Sequence, residues 1–213
     1  MKINRLCLII AALGQVACSL PQGERSRIVI HDFKYPWSKN PPPRTSFEAG
    51  IAGDHWHFMF DVEDLDIVTS SAWTGESTLD DEDRVEIFFS RDPALNRYFC
   101  IEIDALGRVH DYSAKFYRHF ESEWHCPGLK TSAELTSAGY RVKGSIPLTT
   151  LSALLGEEVK SGTTVNMGVF RAEFRGADKS PHGEASDNWI SWQSPATRTP
   201  DFHVPSALKS VKL

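Results

Sequence analysis

The sequence predicts an all-β fold, an antiparallel β-sandwich of the jelly-roll or immunoglobulin-like kind with one short helix. Three observations carry that expectation. Residues 83–89 (DRVEIFF) and 98–107 (YFCIEIDALG) alternate their side chains with the two-residue period of a strand. Short runs of this kind recur along the chain with turn signals between them. Only one segment reads as a helix. In the first pair, Val85, Ile87 and Phe89 share a face opposite Arg84, Glu86 and Phe88. In its neighbour, Phe99, Ile101 and Ile103 oppose Tyr98, Cys100, Glu102 and Asp104. Charge on one side of two strands that are apolar on the other suits one wall of a sandwich. The core then lies behind that wall and a polar, ligand-facing surface in front.

Taken in order, residues 1–18 predict an export signal of the lipoprotein type. Lys2 and Arg5 precede the apolar run LCLIIAALGQVA, which is too short to span a bilayer but suits a secretory signal. It ends on Val16-Ala17-Cys18, which resembles a bacterial lipoprotein signal, with Cys18 as the acylated residue; cleavage nearby by ordinary signal peptidase is the alternative. Residues 24–213 are expected to form one domain, long enough for a full core. Residues 27–30 begin it as a short strand. Residues 35–44 (YPWSKNPPPR) form a loop, because three consecutive prolines supply no ladder donors. Residues 55–62 alternate with Trp56, Phe58 and Phe60 inward, and residues 69–81 are polar and irregular around Trp73.

Beyond Gly107, residues 108–112 read as a hairpin return, and residues 129–135 and 140–146 pair around Ser137-Ala138-Gly139. Pro147 opens the helix 148–155 and Gly156 stops it. Residues 164–174 return to strand, residues 176–187 form a long polar loop, and residues 188–192 and 208–213 close the domain.

Composition narrows the function. The 213-residue chain is 41% hydrophobic and 24% charged with a net charge of −5, and no basic block is present to neutralise phosphates, which excludes a nucleic-acid role. After the leader no apolar run approaches the ~18 residues of a membrane span. Cys100 and Cys126 remain in the domain and fit either one disulfide or two buried thiols. There is no CxxC, no zinc-type Cys/His spacing, no Gly-x-Ser-x-Gly, no HExxH and no phosphate loop.

The order of several short pieces resembles the family 9 carbohydrate-binding modules and their DOMON-like β-sandwich relatives. These are Phe60-Asp61-Val62-Glu63-Asp64, Asp83-Arg84-Val85-Glu86-Ile87-Phe88, Glu102-Ile103-Asp104-Ala105-Leu106-Gly107, Gly139-Tyr140-Arg141-Val142, Asn166-Met167-Gly168-Val169-Phe170-Arg171, and Ile190-Ser191-Trp192 with Asp201-Phe202-His203-Val204-Pro205. The resemblance implies a non-catalytic, exported sandwich that binds polysaccharide or oligosaccharide. It also implies a clamp between a Trp before the DRVEIF strand and an aromatic of the C-terminal segment. Phe202 stands where better-known members carry Trp, and no Arg stands near Cys100.

Sugars present flat C–H faces and many hydroxyls, so a site combines aromatic platforms with polar side chains. Trp73, Trp192 and Phe202 are the candidate platforms, while Trp56 and Trp189 are expected in the core. Arg84, Glu86, Glu102, Arg171 and Asn188 are the candidate polar partners. Asp61, Asp64, Asp81 and Asp83 are candidate ligands of a structural calcium ion, a hard cation suited to clustered carboxylates; solvated acidic loops are the alternative. Two other readings stand beside these. Glu86 and Glu102 have the character of a glycosidase acid–base pair, which needs carboxyls about 5–10 Å apart. Met59 with His55 and His57 offers haem ligands on one strand, although no haem is expected without CxxCH.

Overall fold

In a computed structural model, residues 27–174 and 188–213 are described, and they form the two-sheet antiparallel sandwich expected from the sequence. The signal segment, Cys18 and the whole of the loop expected over residues 176–187 lie outside the described residues. The smaller sheet orders β1 (Arg27–Ile30), β2 (Thr45–Ala52), β3 (His55–Glu63), β9 (Gly139–Pro147) and β8 (Lys130–Thr136). The larger orders β11 (Trp189–Ser191), β10 (Thr164–Ala172), β4 (Arg84–Ser90), β5 (Tyr98–Asp104), β6 (Val109–Lys115) and β7 (His119–Glu121), with β12 (Lys209–Lys212) also on β10. The helix α1 spans Leu148–Leu155 and stops at Gly156, whose φ of 68° is left-handed, as a C-terminal glycine allows. Among the described residues, four elements were not expected: β2, whose Gly50, Ala49 and Ala52 have little strand propensity, the short β7, and 3₁₀ turns at Glu76–Asp81 and Pro205–Ala207.

The main core lies between the sheets. Phe47, Trp56, Phe58 and Phe60 from the smaller sheet meet Val85, Ile87, Phe89, Ile101, Ile103 and Val169 from the larger. Trp56 is fully buried against the edge of Phe89, their ring centroids 5.3 Å apart. The two-residue period thus assigned the inner face of β4 and β5 correctly.

The outer face of β4 and β5 is not open, as the sequence led us to expect. Every residue of both strands is buried. Phe88, Tyr98, Cys100, Tyr112 and Phe170 form a second apolar cluster there, covered by Phe202 and Ala207 of the C-terminal segment. Gly168 makes this cover possible: a Cβ at that position would stand 2.3 Å from the Phe170 ring, which lies across it. Phe170 then stacks on Phe202 at 4.1 Å with an interplanar angle of 12°. Cys100 and Cys126 are both free thiols in different apolar clusters, which decides between the two alternatives left open above. Burial raises the pKa of each thiol, that of Cys126 to about 12.

Arg171 faces the space between the sheets and is fully buried. It sits opposite Val85 in the ladder, so it shares the core face and not the outer one. Its guanidinium reaches across to the Asp64 carboxylate at 3.2 Å and the Thr45 hydroxyl at 3.2 Å, with Glu173 at 3.5 Å. It therefore ties β10 to β2 and to the end of β3. A buried cation left without its counter-charge, or the reverse, is costly. Arg171→Met is expected to lower unfolding free energy by about 3–5 kcal/mol, measured by denaturant titration. Any ligand affinity of the folded fraction should stay unchanged.

Candidate functional site

Among the described residues, a cleft of about 820 Å³ opens on the outer face of the larger sheet. Its floor is a row of directly paired residues, Glu86 beside Glu102 and Glu102 beside His110, across β4, β5 and β6. Arg84, from the adjacent row, turns its guanidinium onto this floor. Arg84 Nε lies 2.7 Å from Glu102 and 3.0 Å from Glu86, so one cation serves two carboxyl groups. Its Nη1 donates to the carbonyls of Leu79 at 2.8 Å and Asp80 at 3.1 Å, which holds the 3₁₀ turn against the cleft. The Trp189 ring lies 5.6 Å from the same guanidinium, within cation–π range.

The walls come from three segments. The 3₁₀ turn contributes Asp80 and Asp81, β6 and β7 contribute Tyr112 and Phe120, and the C-terminal segment contributes Asp201, Phe202 and His203. Tyr112 donates its hydroxyl to Glu102 at 2.8 Å, and His110 Nδ1 stands 3.4 Å from Asp80. The Tyr98 hydroxyl lies 3.0 Å from His203 Nδ1. Asp201 anchors Arg118 at 3.1 Å and accepts from the Tyr117 hydroxyl at 2.6 Å. Trp189 meets Phe202 edge-on at 5.7 Å. The lining thus holds aromatic rings beside five carboxyl groups (Asp80, Asp81, Glu86, Glu102, Asp201) and two guanidinium groups (Arg84, Arg118).

Burial sets the protonation of the floor. Glu86 is 2% exposed, and burial followed by the neighbouring Glu102 charge pushes its carboxyl up to about 8, against the pull of Arg84. At neutral pH Glu86 is therefore mostly a neutral acid able to donate a hydrogen bond. Burial, assisted by Arg118, lowers His203 to about 3, so its imidazole is neutral and fit to stack.

Of the residues singled out from sequence as sugar-binding, Arg84, Glu86, Glu102 and Phe202 meet in this cleft. The other four do not line it. Trp73 is 46% exposed, and its ring is capped by Arg108 at 5.2 Å, outside the cleft. Arg171 belongs to the inter-sheet core, as described above. Trp192 is also a core residue, with the Lys209 ammonium 5.3 Å from its ring. Asn188 is buried where its carbonyl accepts the Glu173 N–H at 2.8 Å. Trp189, expected in the core, is instead the indole of the cleft. Tyr112, Arg118, Phe120 and Asp201 were not singled out as binding residues. Tyr112 and His110 sit in register with Cys100 and Glu102, and that pairing is the one signal that would have pointed to them.

The four proposed calcium ligands are not gathered together. Asp61 pairs with Arg141 at 2.7 Å, Asp64 with Arg171, and Asp81 lines the cleft. Both oxygens of Asp83 accept backbone N–H groups, from Val68 and Phe174. Asp61, Asp64 and Asp83 thus each give at least one carboxylate oxygen to a protein donor. Among the described residues, the His and carboxylate groups close enough to share an ion are Glu76–Asp111–His125 and Asp80–Glu102–His110; neither includes His55 or His57.

The raised Glu86 gives a testable pH dependence. A carboxyl whose folded pKa lies above its unfolded value contributes stability below the unfolded pKa and loses it as pH rises through the folded one. Glu86→Gln lacks that loss. The melting temperature of the variant relative to the parent is expected to increase steadily from pH 5 to pH 8.5 by scanning calorimetry.

Comparison with known proteins places this architecture. The sequence profile of the carbohydrate family 9 binding domain-like family matches residues 30–213. Among solved structures, a protein from Bacteroides uniformis to which carbohydrate binding has been ascribed superposes with a TM-score of 0.64 at 17% identity, covering 88% of this chain and 85% of its own. A family 9 carbohydrate-binding module from Caldicellulosiruptor kristjanssonii, in complex with glucose, gives 0.55 at 15% identity, covering 88% and 83%. The cellotriose complex of a family 9 module from the same organism gives 0.55 at 14%, covering 88% and 81%. No curated protein matches the sequence. The family match takes in all of β2 to β12 and every wall of the cleft, and the chain belongs to the carbohydrate family 9 binding domain-like family.

Proposed function

We propose that this chain is a non-catalytic carbohydrate-binding domain whose site is the cleft on the outer face of the larger sheet. One observation carries the reading: aromatic rings of Trp189, Phe202, Tyr112 and Phe120 surround a fixed floor of Arg84, Glu86 and Glu102. A pyranose needs that combination, since its C–H face lies on a ring while its hydroxyls meet charged donors and acceptors. Family membership and the sugars held by the two Caldicellulosiruptor complexes support it. Glu102 is engaged by both Arg84 and Tyr112, and Glu86 shares the same arginine. Carboxyls so tethered suit hydrogen bonding to hydroxyls better than nucleophilic attack on a glycosidic bond. Five carboxyl groups against two guanidinium groups favour neutral sugars over uronic acids.

A glycan array containing neutral and uronic polysaccharides tests the reading. Retention on a neutral glycan is the expected result, and absence of retention on every glycan sinks it. Trp189→Ala is expected to weaken binding at least tenfold, the scale of a lost aromatic anchor. Trp73→Ala, which removes a ring outside the cleft, is expected to change it by less than about twofold.

The reading extends to location. The leader and the Val16-Ala17-Cys18 ending support export followed by acylation of Cys18, which would hold the domain at a membrane surface facing external polysaccharide. Metabolic labelling with an alkyne fatty acid is expected to mark the parent protein, and Cys18→Ser is expected to abolish the label.

A further inference from the structure

Beside the cleft, the turn between β6 and β7, together with β7 itself, presents three aromatic side chains to solvent. Phe116, Tyr117 and Phe120 are 49%, 50% and 45% exposed. Exposed aromatic rings grouped in one turn are an unusual surface for a protein that must stay soluble. The turn is braced and not loose. Lys115 and Glu121 close its base at 2.7 Å, and the Phe116 N–H donates to the Leu95 carbonyl at 2.9 Å.

The turn is also tied to the cleft. Tyr117 and Arg118 both bind Asp201, a residue of the cleft wall. Phe120 lines the cleft and lies 5.2 Å from His203. The Arg118 guanidinium spans the gap, 5.5 Å from the Phe120 ring and 6.0 Å from the Tyr117 ring. Phe116 meets Tyr117 edge-on at 5.4 Å, which extends the ring surface away from the cleft. An unbroken path of ring faces and one guanidinium therefore leads outward from the floor. The cleft itself, at about 820 Å³, is near the upper end of the roughly 300–1,000 Å³ of small-ligand pockets, more than one pyranose needs.

We infer that the β6–β7 turn is an outer subsite, with Phe116, Tyr117 and Arg118 receiving the further sugar rings of a neutral oligosaccharide whose terminal ring occupies the cleft. This rests on the carbohydrate-binding reading above and names its ligand as a chain and not a single sugar. The rings supply stacking platforms. Arg118 has five N–H donors, of which the Asp201 contact takes one, so others can meet hydroxyls of the second ring.

Titration calorimetry with glucose against cellotriose, and xylose against xylotriose, tests the subsite in the full domain. The parent protein is expected to bind the trisaccharide about 3- to 10-fold more tightly than the monosaccharide, the scale of one added stacking contact. The double variant Phe116→Ala/Tyr117→Ala is expected to lose that advantage while keeping the monosaccharide affinity, which also reports correct folding. Tyr117→Phe should retain most of the advantage. Equal affinity for the two lengths in the parent, or an undiminished advantage in the double variant, overturns the subsite and leaves the carbohydrate reading intact. Binding of no sugar, here or on the glycan array, overturns both. A parent dimer that the double variant converts to monomer in sedimentation, with the trisaccharide advantage unmoved, would make the turn a self-association surface and also overturns the subsite.

Discussion

Arg84 is the side chain on which the site depends. Its Nε sits between Glu86 and Glu102, and its Nη1 holds the 3₁₀ turn through two carbonyls. Its flat face lies near Trp189 and Phe174. Two carboxylates side by side on paired strands would repel and take up protons without a cation. With Arg84 present the pair is tolerated in a buried place, at the cost of a carboxyl held far above its usual range. The same guanidinium fixes one wall, the floor and the indole, so the geometry of the cleft is set before any ligand arrives. That is the preorganisation a weakly hydrophobic, heavily hydrated ligand requires.

A second constraint gives the cleft its limits. The larger sheet has apolar residues on both faces over most of its area, and the C-terminal segment covers the outer ones. Phe170 can lie flat for stacking on Phe202 only because position 168 has no side chain. The covered part rigidifies the sheet, and the uncovered end is where its polar row lies. The cleft is thus the place where the outer apolar cluster gives way to charge.

Much of this was legible in the sequence, for identifiable reasons. Residues 83–89 and 98–107 showed which side chains share a face, because the period of a strand is two whatever surrounds it. Residues 148–155 showed a helix between a proline and a glycine that act locally. β2 was hidden, since its small residues carry little strand propensity and it is a strand because β1 and β3 pair with it on both sides. Trp189 and Trp192 stand three residues apart and look alike, yet one lines the cleft and the other the core. Arg171 read as a binding residue because a charge in a strand suggests a polar face, whereas it neutralises Asp64 inside the sandwich.

By itself the sequence determined the strand periods, the inner core of β4 and β5, the helix over residues 148–155 and the order of motifs that marks the family. These follow from local geometry and from the spacing of residues along the chain. Only the tertiary structure decided that the charged face of those strands is buried, that Arg84 bridges two carboxylates, and that Trp189 and Phe202, rather than Trp73, meet above them. The physical reason is that periodicity tells which way a side chain points, while what covers it comes from segments distant in sequence. Here that segment is the C-terminal one, brought over β4 and β5 by the stacking of Phe202 on Phe170.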